Sequence, residues 1–366
     1  MAASLEQILG YVNLLGLIDR IKTGVPQPLP DQFFTLTKPT VGDSGKYTRV
    51  VGTRTTARRV AYGAPSIRRE LKGIEDIPCK LIHTFEHIML DPLILRQLRK
   101  YDSYERDMGK QEVARQVKEF VVNFANLRVT SVQHMLALNA IYFDASGNLL
   151  PSSSGAAVTV DYAVPANNKN QLNGLIDVSW ANNSANIPAQ IAALQERAAQ
   201  DTGYEIECAF YGRNISSYFR TNDYVEEYAA RNTSTNQEFL FGNGKKLGGS
   251  IPQGFMGVKN WIPVNMGFYE DSAGVNRTTF GVNQVVFTPA ISQDWYEFLE
   301  GTAEVPTTIN IQTDANAALD SSKTVQGMFA YAKILDDPMG IKMLHGDTFL
   351  PVLKVPGSIY NATCVF

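Results

Sequence analysis

Three residues of the segment KLIHTFEHIML, His83, Glu86 and His87, stand in the order H-x-x-E-H. In inverzincin metallopeptidases that spacing gives two imidazole ligands for a zinc ion and a carboxylate that activates the bound water. Whether the chemistry is available depends on the element that carries it. A helix brings positions i and i+4 to about 6 Å, whereas a strand, at roughly 3.3 Å per residue, sets them about 13 Å apart. Ile82, Thr84, Phe85 and Ile88 favour a strand, and Pro78 and Pro92 bracket the stretch. Ile82, Phe85 and Met89 could still form one helical side. A third ligand is also needed. The remaining histidines fall elsewhere, His134 in a helical pattern and His345 in a terminal strand. The residues therefore predict an extended segment, with a zinc-dependent hydrolase using His83, Glu86 and His87 as the alternative. In the strand reading, Leu81 and Phe85 pack against the body of the chain.

Other catalytic patterns are weaker. FGNGKKLGG holds a G-x-G but no phosphate-binding G-x-x-x-x-G-K-[ST], and no G-x-S-x-G elbow occurs. Asp336 and Asp337 precede a proline and shape a turn. Cys79, Cys208 and Cys364 are odd in number and widely spaced, which gives no disulfide framework and reads as thiols of a reducing compartment. We therefore expect no catalytic residue, no metal site, no cofactor and no enzyme activity.

What remains is architecture. The 366 residues are 44% hydrophobic and carry a net charge of −3, with a sequence pI of about 5.9. This balance argues against a general nucleic-acid or membrane-surface binder. Leu5, Ile8, Leu9, Val12 and Leu15 predict a short amphipathic N-terminal helix without the basic start of a signal peptide. The proline-rich GVPQPLPDQFF then predicts an extended arm. Residues 46–73 are strand-prone and strongly cationic: Lys46, Arg49, Arg54, Arg58, Arg59, Arg68, Arg69 and Lys72 face one acid, Glu70. Such a ribbon has little core of its own and needs a surface to lie on. It is either a solvated hairpin, a nucleic-acid arm or a contact with an acidic neighbouring subunit. For the last case the candidate contact residues are Arg49, Arg54, Arg58, Arg59, Arg68 and Arg69. From Ser103 to Tyr142, apolar residues recur every three or four positions without proline, which predicts one long helix. A middle block then alternates strands (AAVTVDYAV, LIDVSW, YEIECAFYG) with helices (NIPAQIAALQERAAQ, NISSYFRTNDYVEEYAAR). The chain closes with strands on both sides of DDPMG.

This order of arm, basic ribbon, long helix, compact block and returning strands resembles the major capsid proteins of tailed phages, most closely the lambda-type capsid protein E family. The similarity rests on SYERDMGKQEVARQVKEFVVNFANLRVTSVQHMLALNAIY, on GYEIECAFYGRNISSYFRTNDYVEEYAA and on DTFLPVLKVPGSIYNATCVF. It implies an α+β Hong Kong 97-like fold: an N-terminal arm (1–45), an extended β-hairpin E-loop (46–95), a peripheral domain with the spine helix (96–185), an α/β axial domain (186–325) and returning peripheral strands (326–366). It implies a structural, non-catalytic protein that self-assembles as hexamers and pentamers into an icosahedral shell around packaged double-stranded DNA, held by non-specific contact. Scaffold, portal and decoration proteins are implied partners and a membrane is not. The implied location is the virion, after assembly in the host cytoplasm.

Overall fold

The computed structural model of the chain describes residues 29–42, 44–50, 74–90, 103–232, 253–264, 274–306, 322–336 and 339–366, with positions 14, 17, 18, 93, 94, 96, 251 and 268–270. The first element described in full is a short helix α1 (Gln32–Thr35), followed by strand β1 (Thr37–Val41). Ribbon strands β2 (Ser44–Val50) and β3 (Ile74–Lys80) follow, then β4 (Ile82–Leu90). Helix α2, Ser103–Ala137, has 35 residues and is therefore about 50 Å long at 1.5 Å per residue. Val113, Val117, Val121 and Phe124 form its buried stripe in the first half, and Val132, Met135 and Leu136 in the second. Leu14 and Ile18 of the N-terminal segment are helical and pack into the first of these clusters.

The helix ends five residues short of Tyr142. Asn139 takes the left-handed conformation, at φ 58°, which closes helices when a short polar side chain tolerates it. Ile141 and Tyr142 continue the helical spacing, but they lie in β5 (Ala140–Phe143), paired with β6 (Leu149–Leu150) and β7 (Val158–Asp161). After β8 (Lys169–Asn170), LIDVSW is not the expected strand. Positive φ at Asn170, Leu172, Asn173 and Gly174 coils the approach, and Trp180 is buried with its indole N–H donating to Gln190 Oε1 at 2.7 Å. Helix α3 (Ile187–Asp201) begins as expected, with Asn186 Oδ1 accepting from the Ala189 N–H and Pro188 in the first turn. The strand β9 (Cys208–Tyr211) is fully buried. The single helix expected next is two, α4 (Ile215–Thr221) and α5 (Asp223–Asn232). The Asn222 side chain breaks the run, because its Oδ1 accepts from the Val225 N–H and restarts the helix.

The remaining strands are β10 (Asn260–Pro263), β11 (Phe268–Glu270), β12 (Asn276–Thr278), β13 (Gln284–Thr288), β14 (Tyr296–Pro306), β15 (Ser322–Gln326), β16 (Phe329–Asp336), β17 (Met339–Leu353) and β18 (Tyr360–Thr363). They complete two main sheets. A five-stranded sheet in the order β10-β9-β13-β18-β8 packs against α3, α4 and α5 around Trp180, Phe219 and Trp261. A six-stranded sheet runs β1-β14-β17-β16, with β15 beside β14 and β4 beside β17. Its inward face lies on α2. The chain passes from the five-stranded to the six-stranded sheet at β14 and returns with β18.

Candidate functional site

Of the sequence-predicted residues that are described, His83 and His87 lie on the outward face of the six-stranded sheet and Arg49 in the ribbon base beside it. At one end of that face the ribbon is anchored. Tyr47 is buried among Leu81, Leu299, Leu350 and Val352, with Ile77 and Cys79 beside it. One aromatic side chain thus fixes the base of a ribbon otherwise poor in large apolar groups. Arg49 lies in this base and pairs across it, Nη2 at 2.6 Å from Glu75 Oε2, while the Thr48 hydroxyl donates to Asp76 at 3.0 Å. The returning strand therefore brings two acids, Glu75 and Asp76, against the base's Lys46, Arg49 and Lys80. Arg54, Arg58, Arg59, Arg68 and Arg69 lie outside the described residues.

Strand β4 carries the histidine motif, and its extended form agrees with the sequence. It runs antiparallel to β17 with His83 opposite Thr348, Glu86 opposite His345 and His87 opposite Leu344. Residues of one parity share a face. His83 and His87 are thus about 13 Å apart on the outward side, and Glu86 takes the inward register. His83 Nδ1 is 2.8 Å from the Thr348 hydroxyl. Two imidazoles so separated cannot share an ion, so the zinc-hydrolase alternative loses its geometry. No group of three potential metal-ligating side chains occurs among the described residues. Phe85 also departs from expectation. It points outward and is 49% exposed, whereas Leu81 is buried as expected.

Sequence reasoning missed the strongest electrostatic feature. On the inward face, Arg128 of α2 meets Asp347 of β17 through Nε and Nη2, at 2.7 and 2.6 Å, and Glu300 of β14 through Nη1 at 2.7 Å. Its guanidinium also lies 5.3 and 5.4 Å from the stacked rings of Phe298 and Phe349. Burial opposes the positive charge, but the two carboxylates outweigh it and raise the Arg128 pKa. The cluster ties the long helix to both central strands. Its only trace in the sequence is an arginine inside the apolar run NLRVTS.

The other two histidines are buried. His134 of α2 lies edge-on to Tyr269 of β11, with ring centroids 5.6 Å apart, and neither ring nitrogen has a hydrogen-bond partner among the described residues. His345 stacks on Phe120 at 4.2 Å. Burial lowers both pKa values to about 4. The cysteines are free thiols, Cys208 and Cys364 buried and Cys79 partly so.

A long helix laid on a six-stranded sheet, beside a five-stranded sheet with its own helices, makes a mixed fold of helices and sheets. A protein assigned as the capsid protein of a prophage in E. coli CFT073 shares it, at a TM-score of 0.54 and 12% identity, over 97% of this chain and 99% of that one. A phage-related protein from Bordetella bronchiseptica RB50 aligns at a TM-score of 0.48 and 10% identity, covering 95% of this chain and 96% of that one. The subunit of the bacteriophage PhiM1 mature capsid aligns at 0.41 and 11% identity, covering 90% and 86%. No curated protein matches at the sequence level. The chain matches the phage major capsid protein E family over residues 12–364 and belongs to it. It is a structural component of the virion that assembles with copies of itself into the shell.

Proposed function

We propose that this shell, built of hexamers and pentamers, encloses packaged double-stranded DNA, and that the chain performs no catalytic step. We further propose that the ribbon reaches onto a neighbouring subunit through Arg49, Arg54, Arg58, Arg59, Arg68 and Arg69. The observation that carries this reading is the ribbon's asymmetry. Its base is anchored by Tyr47, and there Glu75 and Asp76 offset most of the charge of Lys46, Arg49 and Lys80, while between Val50 and Ile74 six cations stand against the single acid Glu70. An excess so concentrated has its counter-charges elsewhere. A net charge of −3 favours a container that holds DNA without adhering to it, since each cation paired with a phosphate adds salt-dependent affinity. In this reading the subunits assemble in the host cytoplasm, and the shell receives scaffold, portal and decoration proteins. The arm, the ribbon, the spine-helix domain, the axial block and the returning peripheral strands follow the boundaries 1–45, 46–95, 96–185, 186–325 and 326–366.

The test is the double substitution Arg58→Ala with Arg59→Ala, followed by light scattering for assembly and a gel-shift titration with duplex DNA. Loss of oligomers with no DNA shift in either protein supports the subunit contact. Normal shells, together with a DNA affinity that the substitutions weaken, would replace it with a nucleic-acid arm.

A further inference from the structure

Among the described residues the outward face of the six-stranded sheet is covered at one end by the ribbon base and open at the other. At the open end, alternation sets His83, Phe85, His87 and Met89 of β4 in a row, and Phe85 and Met89 are 49% and 41% exposed. Phe85 leans on Phe329 of β16, with ring centroids 6.2 Å apart, and Phe329 continues to Tyr331 at 6.4 Å. This aromatic strip can cross β17 because position 346 is glycine. A Cβ there would lie 2.3 Å from the Phe329 ring. Lys342 stands opposite Met89, and Lys333 opposite Lys342, on the same face. Both acids of β4 and β17, Glu86 and Asp347, take the inward register. The open end therefore combines aromatic surface, imidazoles and ammonium groups, with no carboxylate among the outward positions of β4 and β17.

The strip also has an edge. Among the described residues β4 pairs only with β17, so along its nine residues the N–H and C=O groups of alternate residues face away from β17 on the other side. Sheet edges are ordinarily guarded by lysine, proline or short length. Strand β1, at another end of the same sheet, follows that rule with five residues including Lys38 and Pro39. β4 contains neither residue type and runs to nine residues, and its one charged side chain is Glu86, exposed in the inward register.

We propose that the β4 edge and its outward face dock an extended, acidic segment of a different protein, added as a further strand. Backbone pairing along β4 supplies affinity. Alternate carboxylates of the segment meet His83 and His87 directly and reach Lys342 across β4, and its apolar groups cover Phe85 and Met89. The ribbon of a second copy has the wrong sign for this face, with eight cations and one acid in residues 46–73. Charge complementarity thus selects a foreign acidic strand over the chain's own basic one.

The experiment uses the full chain, as unassembled subunit and as shells, with two fluorescein-labelled nine-residue peptides. One alternates glutamate with valine and the other lysine with valine. The glutamate peptide is expected to bind at least tenfold more tightly to both forms, and several-fold more weakly as salt rises from 50 to 300 mM. Hydrogen exchange should slow within residues 82–90. Lys333→Glu with Lys342→Glu should remove the preference for the glutamate peptide, and the exposed-site change Phe85→Ala should weaken binding of a chain whose melting is unchanged. Equal binding of the two peptides, or protection elsewhere, would overturn the proposal. Binding to the subunit but not to shells would overturn it as well, because a second copy would then own the strip. Shell formation is read separately by light scattering, so failure here leaves the assembly reading standing.

Discussion

Acidification of the unassembled subunit is expected to destabilise it through His134 and His345 before its carboxylates titrate fully. Both imidazoles are buried and held near a pKa of about 4 by desolvation. In the unfolded chain they return to an ordinary value near 6.5. As pH falls from 6.5 toward 4, the unfolded state takes up two protons that the folded state refuses. Stability contributed by the neutral rings is therefore complete above about pH 6.5 and is lost as pH falls toward 4. At 1.36 kcal/mol per pH unit, each histidine costs roughly 2 kcal/mol by pH 5 and about 3 kcal/mol by pH 4. The pair would then remove about 4 kcal/mol at pH 5, a large share of the roughly 5–15 kcal/mol of a typical domain. Urea melts of the subunit from pH 7.5 to 4.5 measure this, beside the variant His134→Leu with His345→Phe. The second substitution keeps an aromatic ring against Phe120. The variant should lose about 4 kcal/mol less than the parent between pH 7.5 and pH 5. Parallel stability curves for the two proteins would refute the assignment to these rings.

Three further perturbations follow from the packing. Arg128→Ala leaves the buried Asp347 and the half-buried Glu300 without their cation and should cost about 3–5 kcal/mol in the same urea melts. Tyr47→Ala empties the anchor of the ribbon base. Limited proteolysis should then cut the ribbon region faster while the melting of the helix–sheet body changes little. Gly346→Ala should destabilise by about 1–3 kcal/mol through contact with the Phe329 ring, and combining it with Phe329→Ala should recover the increment specific to Gly346→Ala, measured by thermal melts.

The long helix was legible because burial on one side imposes a spacing of three to four residues, which Val113, Val117, Val121 and Phe124 keep. Its end was not, because Ile141 and Tyr142 hold the same spacing while serving a strand, and only the left-handed Asn139 separates the two. The extended nature of β4 was legible from its β-forming residues. Its facing was not, since alternation gives two faces and leaves open which one meets the core. Phe85 therefore lay on the wrong side of the expectation. LIDVSW shows a related limit, where apolar residues are buried around Trp180 without any ladder. The ion cluster of Arg128, Glu300 and Asp347 joins residues 172 and 219 positions apart, and no local pattern records such a pairing. The histidine motif was legible as a spacing, and only the strand that carries it decides that the spacing cannot bind one ion.

The central claim is that this chain builds a closed shell from copies of itself. Negative-stain electron microscopy of the purified protein, taken through a series of concentrations and salt conditions, tests it most directly. Closed particles of uniform diameter with hexameric and pentameric clusters on their surface are the expected result. A stable monomer under every condition, seen as isolated single subunits on the grid, would contradict it.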